Sequence, residues 1–200
     1  LPRFDWRTAV RALIGFVLGV VLWTMLSPIY NRVIETGAEF TIRLFESPSV
    51  TSLKPDTDNE SYATIDRSDF DPRSKRPGVP VSDLTFNVIL LIALFAMESR
   101  PFSDRNIRGF VFAAIVLAFT HVFGLITEVM SVYVLKLGPW STVHYGDVAR
   151  NFWSVANHFY RLVLMYGIAF ALWWIFRANP ERAERVEGAT EPSRKKRRKR

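Results

Sequence analysis

The stretch ALIGFVLGVVLWTMLSPIYN, residues 12–31, is twenty residues without a charged side chain. At ~1.5 Å per residue a helix of that length crosses the ~30 Å hydrocarbon core of a bilayer. Arg3, Arg7 and Arg11 precede it, so a cleavable signal peptide is the competing reading. Bulky Trp23, and the lack of a small-x-small site after the run, favour a retained anchor.

Three more apolar stretches follow. Leu84 to Met97 is uncharged between Asp83 and Glu98, and it spans if 81–98 is taken with both acids at the interfaces. Gly109 to Thr127 is uncharged, continues as helix over 109–135, and stops at Gly138-Pro139. Leu162 to Phe176 completes a fourth span over 151–177, with Trp173 and Trp174 as interfacial aromatics. The expected fold is therefore an all-α polytopic membrane protein of about four transmembrane helices, with a small β-hairpin-containing loop after the first.

Composition agrees. The chain of 200 residues is 49% hydrophobic, yet its mean hydropathy is only +0.10, a mixture of greasy and polar segments. Formal charge is +7, and residues 177–200 alone hold ten Lys/Arg against four Glu. The run Arg194, Lys195, Lys196, Arg197, Arg198, Lys199, Arg200 beside a membrane helix points to anionic lipid, and no nucleic-acid partner is expected. There is no cysteine, which excludes disulfides, thiolate metal sites and a cysteine nucleophile.

Positive charge sets the orientation. Residues 1–11, the loop 99–108 with Arg100, Arg105 and Arg108, and the tail 178–200 are expected on the cytoplasmic side of the membrane. Segments 32–80 and 136–150 then lie outside. Within 32–80, Val33 to Phe45 extends the first helix amphipathically, and residues 49–66 read as a hairpin turning through Pro55, Asp56 and Asn59. Residues 67–80 read as an extended return. A lone hairpin is marginal in water, so it must pack on another chain, the membrane surface or the later outer loop.

Candidate sites are few. Gly15 and Gly19 form a GxxxG face for close helix packing, with Gly167 and Ala171 as a candidate internal partner face. His121 and Glu128, seven apart, share a face with Thr120, Gly124, Thr127 and Ser131, ~10 Å apart along the axis. Ionisable groups inside a membrane are functional candidates, although a structural histidine is the commoner case. His158 lies within about two turns of His121 in depth, which raises haem or metal ligation, but nothing else supports either. Arg161 is expected to pair with Asp83. No Gly-rich phosphate loop, HExxH or GxSxG occurs. No catalytic residue, metal or cofactor is expected.

The pieces Leu22-Trp23 to Ser27-Pro28, Ser82 to Leu94, and Tyr160 to Phe176 with its Ala171-Leu172-Trp173-Trp174 ending resemble the small membrane proteins that accompany exosortase H in bacteria. The resemblance implies an accessory of a membrane protein-sorting system. Exosortases use Cys, Arg and His, and a chain without Cys cannot run that chemistry. Arg108 and His121 are similar in spacing to the exosortase Arg and His, but no role is carried over. The expectation is a non-enzymatic accessory docking a larger integral membrane partner through the hairpin and the Gly15/Gly19 face. The alternatives are a small subunit of a respiratory or photosynthetic complex, or an intramembrane enzyme or transporter.

Overall fold

The structure, a computed structural model, describes residues 6–56, 59, 61–71 and 73–178. The basic run 194–200 lies outside the described residues. Helix α1, Trp6–Phe45, is 40 residues long, or ~60 Å, about twice the hydrocarbon thickness. Its two halves behave differently. The first buries only Gly15 and Gly19, whereas the second buries Asn31, Ile34, Glu35, Ala38 and Ile42, one stripe at helical spacing.

That outer stripe carries a small antiparallel sheet: β1, Thr51–Pro55; β2, Tyr62–Arg67; and β3, Gly78–Pro80, in the order β1-β2-β3. Thr51 pairs with Arg67 and Leu53 with Ile65. The inward face alternates as strand geometry requires, with Thr51, Leu53, Ala63, Ile65, Arg67 and Val79 all buried. The third strand corrects the reading of 67–80 as a plain return. Tyr62 pairs with Pro80 and Thr64 with Gly78, and Pro80 is tolerated because β3 is an edge. The hairpin needs no second chain to rest on. Leu53, Ile65 and Val79 pack with Ile34 and Ile42 of α1.

Next come α2, Ser82–Thr85, and α3, Val88–Ala96, followed by α4, Asp104–Leu135. Ser103 caps α4 by accepting from the Asn106 N–H. Gly138, at φ +59°, turns the chain into α5, Pro139–His144, a helix inside what the sequence presented as loop. Helix α6, Asp147–Phe159, passes through a π-turn at Tyr160–Leu164 into α7, Met165–Ala178.

Among the described residues, three helices are long and apolar enough to cross a membrane: Trp6–Phe45, Asp104–Leu135 and Asp147–Arg177. The fourth, Ser82–Ala96, is shorter and is broken around Phe86-Asn87. Their packing makes two cores. One joins the sheet to the C-terminal halves of α1 and α4, with Leu125, Val129 and Tyr133. The other, at the far end, joins α3, α4 and α7 through Leu91, Phe95, Leu117 and Leu172.

The glycine face of α1 is filled by α3. A Cβ at Gly15 would overlap the Ala96 side chain, and one at Gly19 would stand 3.3 Å from Ile89. Gly167 and Ala171 do not meet this face. Both are exposed, and a Cβ at Gly167 meets nothing. The physical reason is that α3 lies between α1 and α7, and its own small residues Ala93 and Ala96 provide the close approach.

Candidate functional site

Three clusters of buried polar residues stand out among the described residues. The first ties four helices together. His121 is fully buried. Its Nε2 lies 2.6 Å from Asn87 Oδ1, its Nδ1 lies 2.7 Å from the Tyr30 hydroxyl, and Asn87 Nδ2 donates to the Met165 carbonyl at 2.8 Å. These contacts fix the protons. Because the Asn87 amide nitrogen serves Met165, its oxygen faces His121 and can only accept, so Nε2 carries the hydrogen. In a neutral ring Nδ1 is then the acceptor, and Tyr30 donates. Both nitrogens are committed to protein groups.

The second cluster centres on Glu128, also buried. Its Oε2 accepts from Asn157 Nδ2 at 2.6 Å and from Arg161 Nε at 2.9 Å, while Lys136 Nζ lies 3.9 Å from Oε1. Arg161 therefore pairs with Glu128. The expected Asp83 partner is exposed. Asp83 lies on the exposed side of α2, whose buried residues are Leu84 and Thr85. Nearby, Asn31 Nδ2 donates to Ser82 Oγ at 2.9 Å and Thr85 Oγ1 donates to Asn31 Oδ1 at 3.0 Å, stitching α1 to α2.

His158 is exposed, with its Nδ1 2.7 Å from the Ser154 carbonyl, and it does not face His121. Among the described residues no group of three His, Asp or Glu side chains is disposed to hold a metal ion.

The third cluster lies under the sheet, and the sequence reading missed it. Arg67 is a buried arginine on the inner face of β2. Its Nε and Nη2 donate to the two oxygens of Asp69 at 2.8 and 2.9 Å, a bidentate fork. Nη1 donates to Glu46 Oε1 and, at 3.3 Å, to Thr51 Oγ1. The guanidinium stands over the rings of Tyr133 at 5.0 Å and Trp140 at 5.1 Å. Glu46 Oε2 in turn accepts from the N–H groups of Val50 and Thr51 at 3.1 and 2.9 Å, fixing the turn into β1. The only legible signal was an arginine at an inward strand position, and it was lost in a charge-rich segment.

Burial pulls the Arg67 guanidinium down, but hydrogen bonding to Asp69 and Tyr133 and the charge of Glu46 together outweigh it, and the net shift is upward. The same bond holds the Asp69 carboxyl below the usual carboxylate range. A depressed folded value makes the contribution of Asp69 complete above its unfolded pKa of ~3.9 and lost as pH falls through the lower folded value. Thermal unfolding of the wild type and of Asp69→Asn across a pH series should therefore differ at neutral pH and draw together as pH falls below about 4. A gap that persists unchanged into acid would sink this account.

All three clusters draw their partners from several elements of the chain. They cross-link helices and sheet. The fold defines the class: a small polytopic helical membrane protein with a short antiparallel sheet after its first helix. A family model described as exosortase H-associated membrane protein matches residues 4–180, and the chain belongs to that family. Comparison with curated proteins and with solved structures gave no match.

Proposed function

We propose that this protein is a non-enzymatic accessory of an exosortase-type protein-sorting system, docking a larger integral membrane partner in the bacterial inner membrane. The family match over residues 4–180 carries the reading. Its support from the structure is negative in form but physical. His121, Glu128 and Arg161 are engaged with groups on neighbouring helices, so the side chains an intramembrane enzyme or transporter would draw on are already used. We place both termini in the cytoplasm and the sheet outside, on the strength of the arginines at 1–11, 99–108 and 178–200.

Docking does not fall to the Gly15/Gly19 face, which α3 occupies. It falls to the sheet with α5, and to the lipid-facing side of α1, where Phe16, Val17, Met25 and Ile29 are exposed. The experiment is mass spectrometry of what co-purifies with the tagged full chain from its native membrane in mild detergent. An exosortase-type enzyme or its substrates should be recovered. A stable monomer, or recovery of energy-transducing subunits in its place, would overturn the proposal.

A further inference from the structure

At the end of the bundle away from the sheet, the last turn of α3, the loop after it, the first turns of α4 and the end of α7 enclose a cavity of about 480 Å³. Three arginines line it, Arg100, Arg105 and Arg177, against one carboxylate, Glu98. That carboxylate is occupied. Trp173 Nε1 donates to Glu98 Oε1 at 3.1 Å, and Arg177 Nε stands 3.9 Å from the same oxygen. Arg177 also stacks over the Trp173 ring at 4.9 Å, which fixes it at the lip. Arg100 and Arg105 are exposed and have no ion-pair partner among the described residues. The concavity is therefore left with excess positive charge, which its apolar walls focus.

The floor is of different character. Phe95, Trp173 and Phe176 line it, and Gly109 lets the Phe176 ring lie close on α4. Charge at the rim and rings beneath match a molecule with a phosphate at one end and apolar substance at the other. We propose that this cavity binds an anionic phospholipid, with Arg100 and Arg105 gripping the phosphodiester and the aromatic floor meeting the glycerol and upper acyl chain. Arginine suits this role because its planar fork matches phosphate oxygens in pairs. The site is separate from the basic tail and from partner docking, and its test does not depend on either.

A soluble phosphate shares the headgroup's chemistry, so the experiment separates the two. Full-length protein in nanodiscs would be labelled with phosphatidylglycerol carrying a photoreactive group beside its phosphate, with a phosphatidylcholine analogue in parallel, and adducts mapped by peptide mass spectrometry. Labelling of the 95–109 and 173–177 peptides is expected from phosphatidylglycerol over phosphatidylcholine, undiminished by excess inorganic phosphate. It should fall roughly tenfold or more in Arg100→Gln/Arg105→Gln, given the strength of an arginine near an anionic surface. Both positions are exposed, and a thermal transition equal to the wild type's would show that the variant is folded. Equal labelling by the two lipids, or labelling unchanged in the variant, would overturn the site. Loss of labelling to inorganic phosphate would overturn its assignment to a lipid. Adducts on the tail are on other peptides and do not count.

Discussion

Arg67→Ala is expected to destabilise the protein by about 3–5 kcal/mol, the cost of stranding one partner of a buried ion pair. The substitution strips Glu46 of its cation while that carboxylate remains largely buried and tied to the Val50 and Thr51 amides. It also empties the space over Tyr133 and Trp140. Against a total stability of ~5–15 kcal/mol such a loss is a large share. Arg67→Lys should recover only part, since an ammonium cannot reproduce the fork to Asp69. The double variant Arg67→Met/Glu46→Gln should recover more than half, because it removes both charges while the new amide side chain keeps an acceptor for the two backbone N–H groups. Chemical unfolding in detergent would measure all three. Arg67→Ala within about 1 kcal/mol of the wild type would mean that solvent already screens the cluster.

The sequence revealed the three long apolar helices because lipid imposes a length on apolar runs, and few other environments do. It revealed β1 and β2 because Pro55, Asp56 and Asn59 break a helical reading between two alternating stretches. It did not reveal β3, since Gly78-Val79-Pro80 is too short to show a period and proline argues against a strand. His121 and Glu128 were visible as polar residues on one helix face, but their partners were not. Charge and depth set the level of a residue in the membrane, and the azimuth turns by about 100° per residue. Asp83 and Glu128 are both acids close to the level of Arg161. Only the packed structure shows that Glu128 faces it. Tyr30 and Asn87, which close the bonds of His121, lie on other segments and carry no signal that ties them to it.

The π-turn has no sequence signature at all, and its consequence is a second large effect. The Met165 N–H bonds the Tyr160 carbonyl, one residue further than in an α-helix. In this turn the Tyr160 ring is fully buried against α4 at Gly124, with its hydroxyl 3.4 Å from the Leu84 carbonyl. A Cβ at Gly124 would overlap that ring. Glycine to alanine inside a helix ordinarily stabilises by about 1 kcal/mol. At Gly124 the sign should reverse, with a loss of about 3 kcal/mol as the ring is forced out of its place. The control is Gly167→Ala, on the same bundle but facing open space, which should be neutral or stabilising by up to about 1 kcal/mol. Truncating the ring removes the clash, so Tyr160→Ala/Gly124→Ala should be less destabilised than the sum of its two single variants. Strict additivity would mean that the ring and the glycine do not share the contact. If coupled, the pair shows why residue 124 stays without a side chain: the close approach of α4 to the π-turn sets where α7 leaves the outer core and where Met165 presents its carbonyl to Asn87.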